Sequence, residues 1–339
     1  GYGKNEFVET THPLVVVTAP GPGSGKMATC LSQLYHEHKH GNLAGYAKYE
    51  TFPIWNLPLK HPVNIAYEAA TVDLDDANCI DPFHLEAYGK TTVNYNRDVE
   101  IFPVLKTMME RIAGESPYQS PTDMGVNMAG LAIVDDDAVR EAAKMEIVRR
   151  YFQAAVDARR TGIHEERVER LELLMNQAGI DSSFSPARSA ALLKEETTGG
   201  PAGAMVLADG RVVTGKTSPL LGAASSLLMN ALKAVSGVDD DIYVISDDVI
   251  KPICTLKTST LHSKNPRLHS DETLLALSVS SATDPLAQQL LDLLEVILLV
   301  RPAEGEGGAV PAGPARAADS VNVGFRHLGQ VVVDHPLQL

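Results

Sequence analysis

The run Leu14-Val15-Val16-Val17-Thr18 leads straight into Ala19-Pro20-Gly21-Pro22-Gly23-Ser24-Gly25-Lys26, and this pairing restricts the fold more than any other part of the chain. An apolar, β-branched run of that length predicts a buried parallel strand, and the glycines after it predict a tight turn. Helical spacing follows from Met27 to His40, with Gly41 placed to stop it. Strand, glycine-rich turn and helix in this order make a cradle for phosphate oxygens. Amides exposed by Gly21, Gly23 and Gly25, the Ser24 hydroxyl, the positive end of the helix dipole and the Lys26 ammonium all supply donors.

The spacing departs from the usual P-loop, which has four residues between its first glycine and the Gly-Lys pair and then a hydroxyl that holds magnesium. Three residues separate Gly21 from Gly25, and Met27 stands at the hydroxyl position. Thr29 does not replace it, because two residues along a helix turn a side chain by about 200°. A phosphate ligand, ATP with magnesium foremost, is therefore expected, with the metal held by some other group. A glycine-proline turn that only joins a strand to a helix is the competing explanation.

A second apolar run, Gly130 to Val134, ends in Asp135, Asp136 and Asp137. Acids at the end of such a strand suit magnesium, which makes Asp135 the candidate metal ligand. Acids before a helix also cap it, and a helix is predicted from Ala138 to Arg160. Both explanations stay open. The loop-rich region between offers Asp81-Pro82-Phe83-His84-Leu85-Glu86 and Asn94-Tyr95-Asn96-Arg97-Asp98. His84 or Glu86 there could serve as general base and Arg97 as an anion clamp, which makes these three the candidate catalytic residues. Asp81, His84 and Glu86 alternatively suggest a metalloenzyme, and ordinary surface loops suit the same residues. His36, His38 and His40 do not suggest a metal site, since His38 points away from the other two and all three complement a helix C-terminus.

At 339 residues the chain exceeds the roughly 250 at which single cores stop growing, so more than one domain is expected. The pattern predicts an α/β protein. Residues 1–136 form a three-layer domain on a parallel sheet with the P-loop-like strand, turn and helix; residues 137–200 form a helical bridge. Residues 201–295 form a smaller α/β domain, with a hairpin around Asp209-Gly210, a helix from Pro219 to Val235, a strand at Ile242 to Ile245 and a helix from Asp271 toward Leu294 broken near Pro285. Residues 296–339 form a tail in which 302–319 are mostly Ala, Gly and Pro and read as flexible. A formal P-loop match at Gly210 to Thr217 is discounted, because Arg211-Val212-Val213 reads as the return strand of the hairpin.

The net charge of −14 argues against nucleic acid as the main partner, so an anionic small molecule must be held by local donors. Three widely spaced cysteines suit a reducing cytoplasm, and no apolar stretch is long enough for a membrane span. Nothing in the pattern excludes a homo-oligomer. Three hypotheses remain: an ATP-dependent enzyme of ligase, kinase or hydrolase type, a nucleotide-responsive regulatory protein without turnover, and a metalloenzyme built on Asp81, His84 and Glu86.

The segments Gly-Tyr-Gly-Lys-Asn-Glu, Val-Thr-Ala-Pro-Gly-Pro-Gly-Ser-Gly-Lys-Met, Asp-Pro-Phe-His-Leu-Glu-Ala-Tyr-Gly-Lys and Ser-Pro-Thr-Asp-Met-Gly-Val-Asn resemble the bacterial proteins grouped as domain of unknown function 1846. The resemblance runs from the start to about Leu290. It implies that an α/β segment precedes this chain in the longer proteins, and it implies no particular reaction.

Overall fold

The computed structural model describes residues 1–21, 23–48, 53–125, 127–207, 209–299 and 331–334. Two compact units divide the chain, Gly1–Asp181 and a second beginning at Ser182. The helical stretch expected at 137–200 is thereby shared out, most of it in the first unit.

In the first unit, α1 (Lys26–Lys39) starts where the glycine-rich turn ends. Next come α2 (Pro62–Ala70), the short strand β1 (Asn78–Ile80), α3 (Pro82–Tyr88), β2 (Val93–Tyr95) and α4 (Asn96–Ala113). Two long helices, α5 (Asp136–Thr161) and α6 (Glu165–Gln177), complete it. Gly114 and Gly162 stop α4 and α5 at φ 87° and 70°, a conformation glycine takes without strain. The segment expected to be loop-rich is thus largely short elements. Their terminators are polar caps, such as Asp81 before α3, that resemble loop residues in sequence.

Leu31 and Leu34 of α1 pack against Phe102, Leu105 and Met109 of α4 to make one core. A separate layer joins α2, α5 and α6, burying Ile65, Ile147, Val148, Leu171 and Leu174. His61 ties it together: its Nδ1 accepts the Val63 amide at the start of α2, so Nε2 carries the proton and donates to Asp136 at 2.9 Å.

The second unit holds α7 (Pro186–Thr198), the hairpin β3 (Ala202–Val206) and β4 (Val212–Lys216), then α8 (Ala223–Ser236), α9 (Asp247–Thr255), α10 (Ser270–Ser281), α11 (Pro285–Leu299) and β5 (Val331–Asp334). The expected hairpin around Asp209-Gly210 and the break before Pro285 are both present. Helices α7 and α8 pack on the sheet, where Met205 meets Leu227 and Ala231. Lys216 lies in β4, so the Gly210–Thr217 match falls on the return strand of the hairpin. Residues 302–319 lie outside the described residues.

The three-layer parallel sheet is not found among the described residues, whose sheets are small and antiparallel within a helix-rich, broadly α/β chain. Three expected strands fail to form for one reason. A β-branched run becomes a strand only where another strand takes up its backbone groups, and no described strand does so here. Leu14 and Val16 stand 77% and 74% exposed, Gly130–Val134 gives a 3₁₀ turn with Val134 in solvent, and Ile242–Ile245 is a loop. In that loop Val244 and Ile245 drop into the α8, α10 and α11 core instead.

Candidate functional site

The turn before α1 is built by left-handed glycines, Gly23 at φ 72° and Gly25 at φ 88°. Gly25 is the N-cap of α1 and carries no side chain, so the first-turn amides of a fourteen-residue helix are left without a side-chain acceptor. Nothing lies within 4 Å of where a Cβ would project at Gly21, Gly23 or Gly25, so the turn is open. Ser24 Oγ donates to the Gly21 carbonyl, and Lys26 Nζ folds back onto the same oxygen at 2.8 Å. Turn and helix thus follow one another at Gly21–Lys39, while the strand expected to lead into them is not found among the described residues.

Met27, the residue after Lys26, lines a small open cleft in the first unit. The cleft's apolar walls include Val93, Phe102 and Leu105. Its polar lining includes Lys48 and Asp98, paired at 2.5 Å, and Asn94 and Thr122. The backbone brings these together because Lys48 bridges in parallel to Gly125 and the Val93 amide donates to the Trp55 carbonyl at 3.1 Å. Trp55, the single tryptophan of the chain, also lines the cleft, its indole N–H buried with no acceptor among the described residues.

Next to the cleft runs a buried polar network. Asp81 is fully buried and caps α3, Oδ1 accepting the Phe83 and His84 amides while Oδ2 accepts the Thr122 amide and hydroxyl, the latter at 2.6 Å. Four donors fill this carboxylate, so Asp81 organises the 120–123 turn. His84 Nδ1 meets Ser120 Oγ at 2.9 Å and lies 3.6 Å from Asp123 Oδ1. Asp123 in turn accepts the Tyr88 hydroxyl at 3.0 Å, which raises the Tyr88 pKa. Serine, histidine and aspartate here do not form a nucleophilic triad. Both partners approach the same ring nitrogen, and Ser120 is completely buried.

The three expected catalytic residues are not brought together. His84 is buried in the network, whereas Glu86 is exposed. Their two-residue spacing places them on different sides of α3. Arg97 grips buried Asp76 through Nε at 2.5 Å and Nη2 at 2.7 Å, so its fork already holds an internal carboxylate. The Asp81, His84 and Glu86 set is likewise dispersed.

Asp135 is the N-cap of α5, accepting the Ala138 amide at 3.0 Å. Among the described residues, no group of three or more His, Cys, Asp or Glu side chains could hold a metal ion. The Asp135 carboxylate is thus engaged as a helix cap.

Domain of unknown function DUF1846, N-terminal, matches residues 1–179 and its C-terminal counterpart matches 183–298. The chain belongs to the DUF1846 family. A UPF0371 protein of Corynebacterium diphtheriae is 63% identical over 295 residues, 87% of this chain and 59% of that protein. A UPF0371 protein of Streptococcus thermophilus is 57% identical over 87% of this chain and 60% of its own length. The chain thus spans about three fifths of the length of these bacterial relatives. The family boundary at 179–183 coincides with the division between the two units. No helix among the described residues is long and apolar enough to cross a membrane.

Sequence reasoning found the turn and missed the cleft. Asn94 and Asp98 lay in a stretch singled out as polar, but Lys48 and Trp55 carried no local motif. The one available signal was that a chain with a single tryptophan places it among prolines and asparagine, at Pro53-Ile54-Trp55-Asn56.

Proposed function

We propose that this protein binds the phosphate of a small-molecule ligand, ATP foremost, on the Gly21–Lys26 turn and acts as an ATP-dependent enzyme on a second substrate held in the adjoining cleft. One observation carries the proposal: the Lys26 ammonium lies over an open turn of left-handed glycines, beside helix amides that no side chain caps. Amides and ammonium together favour a polyanion in a chain whose overall charge would repel one. Calorimetric titration with ATP and with tripolyphosphate tests it, comparing the native chain with Lys26→Ala. Binding to neither probe, or equal binding by both proteins, would sink the assignment.

Met27 at the hydroxyl position and Asp135 engaged as a cap favour a second reading, a nucleotide-responsive regulator without turnover. Steady phosphate release from ATP that disappears in Lys26→Ala decides for the enzyme. Tight binding without release decides for the regulator.

A further inference from the structure

The run Leu14–Thr18 is exposed where its composition calls for burial. Leu14, Val15 and Val16 stand 77%, 47% and 74% exposed, and no amide or carbonyl from Leu14 to Thr18 makes a hydrogen bond to a described residue. Side chains of an extended strand alternate between two faces, so Leu14 and Val16 would share one and Val15 and Val17 the other, and both faces are apolar. A strand apolar on both faces belongs inside a parallel sheet, with layers covering it above and below. Sheet edges that face water are guarded by charge or proline, and these five residues contain neither. The run is also held in place at both ends. Gln33 of α1 bonds the amide and carbonyl of Val8 at 3.2 and 2.8 Å, and Lys26 of the same helix bonds the Gly21 carbonyl. Unpaired strand-forming backbone is thus spanned between two points of one helix.

We infer that Leu14–Thr18 is the docking strand for a segment that the longer proteins of this family carry outside their match to this chain. That segment adds a parallel strand along the run, together with the helices that cover its two faces. About two fifths of the Corynebacterium diphtheriae relative lies outside the match, several times the roughly 30 residues of one strand-helix-strand unit. A second copy of this chain fits the run less well. Two copies would pair their runs about a twofold axis, which joins backbone groups but leaves both apolar faces uncovered. The inference does not depend on the phosphate role of the turn that follows the run.

Hydrogen exchange read by mass spectrometry, on this chain and on the full-length Corynebacterium diphtheriae protein at several concentrations of each, tests the inference. Amides 14–18 should exchange at nearly the unprotected rate in this chain. At the corresponding positions of the longer protein they should exchange about a hundredfold or more slowly, whatever its concentration. Proline in place of Val16 removes one strand amide. Val16→Pro should leave the melting temperature of this chain nearly unchanged, and the same change at the corresponding position should lower that of the longer protein. Should the altered longer protein fail to fold, exchange in the two unaltered proteins decides alone. Equally fast exchange in both overturns the inference. Protection in this chain that grows with its concentration, or protection in the longer protein that is lost on dilution, assigns the run to a second copy and overturns it. Protection in this chain at every concentration places the partner within the chain and overturns it as well.

Discussion

Lys26 holds its ammonium 2.8 Å from the carbonyl oxygen of Gly21, on the turn that precedes its own helix. An internal carbonyl is a weak partner for a full positive charge, and a phosphate oxygen is a stronger one. The side chain therefore has an incentive to exchange the first for the second.

Replacing Lys26 by alanine should weaken binding of tripolyphosphate by about tenfold to a hundredfold, the equivalent of the roughly 1.5–3 kcal/mol carried by a hydrogen bond to a charged group. The melting temperature should change little, since the lysine bonds only to the exposed turn itself. Calorimetry alongside a thermal melt separates the two effects; a large fall in melting temperature would make Lys26 a structural residue.

Arg97→Ala should destabilise the first unit although the arginine side chain is half exposed. Its partner Asp76 is 2% exposed and would be left as a buried carboxylate without its guanidinium. Breaking such a pair costs about 3 kcal/mol or more. The double variant Arg97→Ala with Asp76→Ala should recover part of the loss in urea titrations. A single variant as stable as the native chain would refute the pairing.

How much of this was legible beforehand depends on how local each signal is. Helix α1, the Asp209-Gly210 hairpin and the break at Pro285 are written in neighbouring residues, and each formed where expected. The runs at Leu14–Thr18 and Ile242–Ile245 looked like strands because Val and Ile favour them, yet the deciding partner lies elsewhere in the chain or is lacking. The candidate site divides the same way. Glycines and a lysine in one turn are visible in sequence, whereas Lys48, Trp55 and Asp98 meet only after three segments fold together. His84, Glu86 and Arg97 erred oppositely: nearness along the chain suggested a cluster that helix rotation and the Asp76 pair pull apart.

Gly215→Ala should destabilise the second unit. A Cβ at Gly215 would sit 2.2 Å from the Leu227 amide nitrogen, where β4 runs against the backbone of α8. Backbone cannot swing aside as a flexible side chain can, so strand and helix must separate and open the Met205, Leu227 and Ala231 core. Overpacking of this kind costs about 1–3 kcal/mol. An unchanged melting temperature would mean that the helix does not press on the strand at this point.

Glu68 gives a prediction with a definite sign in pH. Burial pushes its carboxyl above the ordinary 4.5, outweighing the Asn78 amide it accepts and the nearby Arg170. The folded chain thus holds this proton more tightly than the unfolded chain does. Its contribution to stability is complete below the unfolded pKa and is lost as pH rises through the folded-state pKa. Glutamine at this position keeps an oxygen for the Asn78 amide and never ionises. Glu68→Gln should therefore be more stable than the native chain at neutral pH, and the gap should close on acidification to about pH 4, where both side chains are neutral. Urea titrations at pH 4 and pH 7 measure it. A gap that widens toward pH 4 would show that Arg170, and not burial, controls this carboxyl.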